Sequence, residues 1–464
     1  MARRSYDAAQ LGRKAGNWTP VNGSADSQIK PSLSRLRARS SDLVRNDSNT
    51  KKALSSWGSH IIGTGIVADF GNKRAQKAFD AWTKVCDFDQ DLDFYGLQLL
   101  IAKTEWTTGE CLIRLIIVND HVNPLRLQAL APDYLDDTLS KNPDKAGAYI
   151  SGGIEYSAAG QRVAYWIYQS HPNDNFFGSR KSIRVPAEEI IHFFEKTMPG
   201  QTRGVPHTAA SMMDARDLGD YDGATLDRKI AESNIVAFVT TDQPDDDEIK
   251  LGKDDGAGNE EMAPGMVKYL RDGQDVKFNN PTASNDGEFV ARKKHDIAAG
   301  YGVTYEMMTG DLAKVNYSSI RKGMSEFRRT AEQYQWLCFI PCFLERVVSA
   351  WIKSMTPIVK ADIQVSWTTP KIEMDDPKKD GDFEQVEIAS GLKSWSKAVR
   401  TRGEDPDAVF AELMADVERF KAAGIPYPGQ APAPTPAEAQ PEDDAPDEEA
   451  DKADEENEDD KKDE

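Results

Sequence analysis

The sequence predicts a mixed α+β protein in which a β-rich module lies between helical segments. Apolar residues recur at the 3–4 spacing of a helix over residues 33–107 and again over much of 205–420. From residue 110 to residue 194 they form β-branched runs and alternate with polar residues, as in strands. The two ends of the chain are polar and opposite in charge, which predicts tails attached to a folded middle.

The N-terminal segment is predicted to begin as a mobile basic arm and to continue into three helices. Residues 1–32 are polar and rich in Gly, Asn and Ser, and the first 52 residues have a net charge of +7. Residues 33–63 keep helical periodicity until a Gly-Thr-Gly turn ends the pattern. Two further helices are predicted over about 72–86 and 93–107, each with one apolar face.

The next segment is predicted to form a mainly β module of about 85 residues. Residues 110–118 are a β-branched run that is typical of a buried strand, and 125–135 form another strand that leads into a turn. Residues 152–172 predict a hairpin, because apolar residues alternate on both sides of an Ala-Ala-Gly turn. Residues 182–194 close the module.

The middle of the chain is predicted to be mostly helical, with one acidic interruption. A helix over 205–239 starts with Pro206 in its first turn. Residues 242–265 are acidic and Gly-rich, which is typical of a solvated loop. The elements predicted after it are a hairpin at 267–278, a short helix at 288–301, a loop at 302–316 and a long helix at 317–353. Pro341 lies inside the long helix and should kink or break it.

The C-terminal part combines a charged helical segment with an acidic tail. Residues 380–420 keep helical spacing, whereas Pro, Ala, Asp and Glu dominate from residue 426 onward. Residues 431–464 hold 16 acids and 3 lysines, a net charge of −13, and cannot bury enough apolar surface to become ordered. Removing this −13 and the +7 of the first 52 residues from the total of −20 leaves −14 for residues 53–430. The total charge argues against a tight, nonspecific nucleic-acid binder.

Sequence motifs of enzymes and metal sites are missing. The chain has no GxxxxGK[ST], HExxH or GxSxG motif, and its 6 histidines are scattered singly. The 4 cysteines are too few for a disulfide framework, and no histidine lies near Cys338 and Cys342. We therefore expect no catalytic residue, no metal and no cofactor. The N-terminus has no apolar core of a secretory signal and the apolar runs are short, so we expect a soluble intracellular protein without a membrane span.

Five segments, in the same order along the chain, resemble the lambda-type family of tailed-bacteriophage portal proteins. They are LRARSSDLVRND (36–47), WTTGECLIRL (106–115), GIEYSAAGQRVAYWIYQSHP (153–172), VPAEEIIHFFEKTMPGQTRGVP (185–206) and AAGYGVTYEMMTGDLAKVNYSSIRKG (298–323). Each segment alone is a weak signal, but the ordered set is specific. Gln201-Thr-Arg203-Gly204 and Asn316-Tyr-Ser-Ser-Ile-Arg321 carry most of the weight.

The resemblance implies a structural, non-enzymatic protein that forms a ring, normally of twelve subunits, at one capsid vertex. Double-stranded DNA would enter and later leave through the ring. The implied partners are the terminase large subunit, the major capsid and scaffold proteins, and the head-completion or tail connector proteins. The implied location is the virion, with the host cytoplasm during assembly.

The resemblance also implies a division of the chain into the parts of a portal-type fold, with an α+β wing, a helical stem, an α/β clip and a helical crown. The expected bounds are a mobile arm at 1–32, the wing at 33–204, stem helix 1 at 205–239, the clip at 240–285, stem helix 2 at 286–301, a channel loop at 302–316, the long wing helix and following strand at 317–375, the crown at 376–425 and a disordered acidic tail at 426–464. The acidic loop 242–261 has no counterpart in the resemblance.

Candidate site residues follow from this division. The DNA-facing candidates of the channel loop are Met307, Met308, Lys314 and Asn316. The candidates for inter-subunit or interdomain contacts are Gln201, Arg203 and Arg321, for which a contact within one subunit is an open alternative. The candidates for clip and terminase docking are Asp245, Asp246, Asp247, Tyr269 and Arg271. For Lys314, transient phosphate contact and simple exposure are both open.

Two other classes of function remain as alternatives. One is a metal-dependent nucleic-acid-processing enzyme, which would need carboxylates clustered on rigid elements. The other is an acidic scaffold or adaptor protein of virion assembly, which predicts a monomer or a small oligomer. The moderately acidic middle of the chain favours a passive conduit, because an acidic or mixed wall repels phosphates and does not grip DNA.

Overall fold

The computed structural model describes residues 20, 22–142, 147–174, 181–233, 237–240, 267–270, 287–313, 316–355, 363–370, 377–402 and 404–427. The chain forms two compact units, Met1–Pro406 and Asp407–Glu464. The fold is mixed helix and sheet, so the predicted α+β class is confirmed. Most of the predicted clip and the acidic tail from residue 428 onward lie outside the described residues.

Helical segments lie on both sides of a run of strands in the described chain. The helices are α1 (Ala25–Ile29), α2 (Leu33–Asn46), α3 (Ser48–Ile61), α4 (Lys73–Thr83), α5 (Phe94–Thr108), α6 (Met212–Ser233), α7 (Gly287–Tyr301), α8 (Tyr305–Thr309), α9 (Tyr317–Tyr334), α10 (Glu345–Ser354), α11 (Pro377–Ala389), α12 (Trp395–Thr401) and α13 (Pro406–Ala422). The strands are β1 (Val67–Asp69), β2 (Cys111–Ile117), β3 (Leu125–Leu130), β4 (Tyr149–Ser151), β5 (Ile154–Tyr156), β6 (Arg162–Tyr168), β7 (Ser182–Pro186), β8 (Ile190–Phe193), β9 (Ala237–Thr240), β10 (Val267–Leu270) and β11 (Ser366–Thr368).

The N-terminal region differs from the prediction in two ways. The helical pattern over 33–63 is two helices, because Asp47 has extended backbone and its carboxylate caps α3 by accepting from the Thr50 N–H at 2.7 Å. Residues 25–32, predicted as part of a mobile arm, form α1 and a 3₁₀ turn. The Asp26 carboxylate of α1 accepts from both the N–H and the hydroxyl of Thr202, which ties this segment to the first unit.

The predicted β module is two antiparallel sheets. One has the strand order β3-β2-β8 and the other has β4-β5-β6-β7, in which β5 and β6 are the predicted hairpin. Successive residues of β2 point to different cores, since Ile113 belongs to the main core and Leu112 to a smaller core beneath the second sheet. Strand β2 therefore joins the two cores.

The main core is rich in aromatic rings. Trp82, Phe79 and Trp351 are fully buried, and the rings of Phe79 and Trp351 meet edge to face at 5.1 Å. These residues come from α4 and α10, which lie far apart in sequence. The core thus fixes the C-terminal end of the long helix against the N-terminal helices.

The long helix predicted over 317–353 is continuous from α9 to α10, and Pro341 does not break it. Residues Gln335–Leu344 form π-helical turns around Pro341, which has no backbone N–H to donate. By length and composition, Ser319–Ser354 could cross a membrane, and half of its most apolar window is buried inside the protein. Phe339 and Phe343 of this segment lie fully in the main core.

The helix predicted over 205–239 is shorter in the structure. A 3₁₀ turn (His207–Ala210) precedes α6, and the apolar run near residue 237 forms β9, because β-branched residues favour extended backbone. Strand β9 pairs in parallel with β10. Strand β10 is the first strand of the hairpin predicted at 267–278, and the rest of that hairpin lies outside the described residues. The segment 376–425 is helical as predicted, as α11, α12 and α13.

Candidate functional site

A single buried carboxylate connects three of the five segments that carry the resemblance. Glu110, at the start of β2, is fully buried. Its Oε1 accepts from Arg37 Nη2 at 2.5 Å and from Arg203 Nη2 and Nε at 2.6 and 2.9 Å. Its Oε2 accepts from the Gly204 N–H at 2.8 Å and lies 3.0 Å from His192 Nε2. We call these five residues the Glu110 junction.

The partners of Glu110 come from elements that are distant in sequence. Arg37 lies on α2, His192 lies on β8, and Arg203 and Gly204 lie in the loop that leads to the first turn before α6. Arg37 and Arg203 are 3% and 1% exposed, so neither guanidinium can be satisfied by bulk water. The carboxylate therefore holds α2, the three-stranded sheet and the root of α6 together.

Two guanidinium groups meet one carboxylate in the junction. Burial alone would raise the pKa of Glu110, but the guanidinium groups of Arg203 and Arg37 outweigh it and hold that pKa well below the ordinary value. Burial lowers the pKa of His192 to about 4, so the imidazole is neutral near pH 7. Because the carboxylate can only accept, His192 Nε2 donates to it and Nδ1 is left as an acceptor.

Two glycines allow the backbone to close around the junction. Gly109 has φ +88, a conformation that residues with a side chain rarely adopt. A Cβ on Gly204 would lie 1.8 Å from the carbonyl oxygen of Gly109. Glycine at position 204 is therefore required by contact between two backbones, which places the Gly204 N–H on Glu110.

A second buried carboxylate lies one helical turn before the junction. Glu105 of α5 accepts from the Tyr334 hydroxyl at 3.0 Å and lies 3.4 Å from His207 Nε2. Burial lowers the pKa of His207, but Glu105 outweighs it and raises that pKa above its ordinary value. This contact joins α5, α9 and the 3₁₀ turn before α6.

Further hydrogen bonds fix the same end of α6. The Thr208 hydroxyl donates to the Ser40 hydroxyl of α2 at 2.7 Å. Lys293 of α7 donates to the Asp214 carboxylate of α6 at 2.9 Å. The first turns of α6 are thus held by α2, α5 and α7 together.

The structure places the two predicted contact residues of the GQTRG segment inside the chain. Arg203 binds Glu110 of its own chain, which favours the within-subunit alternative. Gln201 is 1% exposed, and its amide accepts from the Thr197 N–H and donates to the Arg203 carbonyl. Arg321 lies exposed on α9, and its inter-subunit role stays a prediction.

The channel-loop candidates are separated by the fold. Met307 and Met308 of α8 are 7% and 1% exposed and belong to the main core, so in the single chain they pack and do not face solvent. Asn316 is exposed, and its carbonyl accepts from the N–H groups of Ser319 and Ile320 in the first turn of α9. Lys314 lies outside the described residues. A DNA-facing role of this loop stays a prediction.

The clip candidates are mostly outside the described residues. This applies to Asp245, Asp246, Asp247 and Arg271, whereas Tyr269 lies in β10 opposite Val239. Within the described part of the chain, no three His, Cys, Asp or Glu side chains are grouped as metal ligands. The 4 cysteines are free thiols, and Cys86, Cys111 and Cys338 are buried.

Sequence reasoning missed the residues on which the junction depends. Glu110, Arg37 and His192 all lay within the quoted segments, but only Arg203 was singled out. A usable signal was present, because Glu110 is a charged residue directly before an apolar strand, and such an acid must find a buried cation. The histidine gave no signal, since single histidines occur throughout the chain.

The similarity of this chain to known proteins agrees with the resemblance of its five segments. The family described as phage portal protein, lambda family, matches residues 11–335. The chain is 27% identical to the probable portal protein of Halomonas phage phiHAP-1, over 92% of this chain and 88% of that protein. It is 21% identical to the portal protein of Escherichia phage N15 and to portal protein B of Escherichia phage lambda, in each case over 91% of both chains.

A chain in the neck of an empty gene transfer agent particle, solved with C6 symmetry, is also similar. It is 14% identical, with a TM-score of 0.43, over 85% of this chain and 97% of that chain. The family match covers the segments that form the Glu110 junction and extends over most of the sequence. This chain therefore belongs to the lambda family of phage portal proteins.

Proposed function

We propose that copies of this chain form a closed ring, with twelve subunits, at one vertex of the capsid, and that double-stranded DNA passes through it. The observation that carries the proposal is the Glu110 junction, where three family segments meet at the root of α6. A conduit subunit needs a stem helix that is held rigidly by its wing, and the junction provides such a connection. Its role is structural and involves no catalysis.

The charge of α6 supports a channel wall past which DNA moves without being bound tightly. Its exposed side carries Asp217, Asp220 and Asp227, while Arg216 is paired with Asp220 at 3.1 Å. As stem helix 1, it would present carboxylates to the channel. Because carboxylates repel phosphates, DNA would be separated from this wall by water.

The remaining partners follow from the same proposal. The clip, 240–285, docks the terminase large subunit and later the head-completion or tail connector proteins, with Asp245, Asp246, Asp247, Tyr269 and Arg271 as candidates. The wing contacts the major capsid and scaffold proteins. The protein works in the virion and is assembled in the host cytoplasm.

Ring formation is tested directly on the purified full-length chain. Native mass spectrometry and negative-stain images at several salt concentrations should show closed rings with a central hole. A monomer at every salt concentration would overturn the proposal and would favour an acidic adaptor. Nuclease activity that depends on a divalent metal would favour the enzyme alternative.

The channel loop is tested by Lys314→Ala in a packaging reaction. We propose that Lys314 makes transient contacts with phosphates, so the variant should release packaged DNA more readily than the wild type. Lys353→Ala, which removes an exposed lysine of α10, is the matched control. Equal DNA retention by both variants and the wild type would refute the role of Lys314.

A further inference from the structure

A large cleft lies beside the Glu110 junction and shares His192 with it. Its volume is about 1290 Å³, and it lies between the four-stranded sheet and the long helix. Its walls include Tyr156 and Arg162 of that sheet, His192 of β8, and Cys342 and Arg346 of the long helix. A cleft of this size is larger than most small-molecule sites and can hold a protein segment.

The cleft has more cations than it can pair. Its two acids are already engaged, since Asp26 binds Lys30 at 2.9 Å and Glu195 lies 3.7 Å from His207. Arg162, Lys196 and Arg346 have no carboxylate partner among the described residues. In a chain with a net charge of −20, this lining selects an acidic occupant.

Two residues of the wall also have unsatisfied polar atoms. Tyr156 Oη and His192 Nδ1 are buried and have no hydrogen-bond partner among the described residues. These two atoms have almost no exposed surface, so an occupant of the cleft would be recognised by the exposed cations of the wall and not by these atoms.

An acidic knob lies elsewhere on the same chain. Residues 85–93 form a loop in which Val85, Phe88 and Leu92 are 42%, 41% and 38% exposed. Asp89 and Asp91 are exposed beside them. The Asp87 carboxylate holds the loop from inside by accepting from the N–H groups of Asp91 and Leu92, each at 3.0 Å. The knob thus presents apolar and acidic groups on a fixed backbone.

The knob and the cleft lie at opposite edges of one sheet. The knob is bonded to β3, where the Phe88 N–H donates to the Leu127 carbonyl at 2.9 Å. The cleft is lined by Ile190 and His192 of β8, and the sheet order is β3-β2-β8. No knob residue lines the cleft of its own chain. Two complementary surfaces on opposite sides of a subunit are what a head-to-tail ring contact requires.

We propose that the knob of one subunit docks in the cleft of the next subunit around the ring. Asp89 and Asp91 then meet Lys196 and Arg346, and Phe88 enters among the aromatic side chains of the cleft. This contact rests on the proposed ring. It pairs a knob that lies outside the segments that carry the family resemblance with a cleft whose Lys196 lies inside one of them.

Charge reversal tests the contact. The knob variant Asp89→Lys/Asp91→Lys and the cleft variant Lys196→Glu/Arg346→Glu should each raise the protein concentration needed for half-assembly by at least about tenfold, because like charges across an interface cost several kcal/mol. A chain with all four substitutions should regain most of the lost assembly, since each reversed knob meets a reversed cleft. Arg74→Glu, an exposed reversal outside both surfaces, is the control and should assemble normally.

Cys342 provides a second readout that does not depend on variants folding. It is half-buried in the cleft, whereas the other three cysteines are buried. The hydrogen bond from Cys338 lowers the pKa of Cys342, burial opposes this, and the charges of Arg346 and Lys196 lower the pKa further, which increases the thiolate fraction that maleimide can label. Maleimide should label Cys342 in the free subunit and label it at least about tenfold more slowly in the ring, as a docked segment blocks access. Cys342→Ser shows the background.

The outcomes separate this proposal from that of the ring. Rings in which Cys342 reacts as fast as in the free subunit would overturn the docking alone. Protection of Cys342 already in the monomer would also overturn it, and would indicate that another part of the same chain covers the cleft. A chain that stays monomeric at every salt concentration would overturn both proposals.

Discussion

Replacing Glu110 by glutamine tests the energetic role of the buried junction. The substitution keeps the shape of the side chain but removes the charge that Arg37 and Arg203 share. Both guanidiniums are buried, and the new amide group turns a donor toward at least one of the existing donors. Removing one partner of a buried ion pair costs about 3–5 kcal/mol. We expect Glu110→Gln to lower the free energy of unfolding by at least this amount.

The assay is urea unfolding of the full chain at pH 7, followed by tryptophan fluorescence, because Trp106 is buried close to the junction. Glu155→Gln is the matched control. Glu155 also binds an arginine, Arg184, with two hydrogen bonds at 2.8 and 3.0 Å, but this pair lies at the surface. An exposed pair contributes about 0–1 kcal/mol, so the control should unfold nearly as the wild type does.

The double variant Glu110→Gln/Arg203→Met shows whether the loss of stability comes from an unpaired buried guanidinium or from the loss of a favourable contact. If the cost of the single variant comes from a stranded guanidinium, removing Arg203 as well should cost less than the sum of the two single changes. A Glu110→Gln variant within about 1 kcal/mol of the wild type, the range of an exposed pair, would refute the reasoning. It would mean that water reaches the junction.

Two further predictions concern the same region. Gly204→Ala should destabilise the chain by about 1–3 kcal/mol or more and lower the yield of soluble protein, because the new Cβ would lie 1.8 Å from the Gly109 carbonyl oxygen. Gly219→Ala is the control. It lies in an open position of α6, so it should leave stability unchanged or raise it. Because burial lowers the folded-state pKa of His192 to about 4, the unfolded chain takes up a proton between about pH 6.5 and pH 4 while the folded chain does not. The free energy of unfolding should therefore fall as the pH falls through this window, and His192→Asn should make that fall smaller. Urea titrations at several pH values measure it. The same pH dependence in the variant and the wild type would contradict the prediction.

Much of the local structure could be predicted from the sequence. The hairpin of β5 and β6 follows from alternation on both sides of a glycine turn, and it places Ile154 and Tyr165 in the smaller core. Strand β2 follows from its β-branched residues, but it is buried only over Cys111–Ile113, and Ile117 at its end is 67% exposed. These features depend on neighbours in the chain, so that a short window of sequence contains their cause.

Two boundaries differ from the prediction, for different physical reasons. The pattern over 33–63 continues across Asp47, but the side chain of Asp47 ends one helix and caps the next. Pro341 was expected to kink or break the long helix, and the helix is not broken, because the packing of Phe339 and Phe343 in the main core keeps the chain helical through π-helical turns. A local helix cap set the first boundary, whereas tertiary packing outweighed local preference at the second.

The sequence by itself determined the α+β class, the order of most elements and, through five ordered segments, membership of the portal family. Only the tertiary structure decided that Arg203 binds Glu110 within its own chain, and that Met307 and Met308 are buried. The physical reason is the separation along the chain. Helix and strand patterns depend on neighbouring residues, whereas a buried charge is stable only where a distant segment supplies its partner. Glu110 and Arg203 are 93 residues apart, and only the folded chain brings them to 2.6 Å.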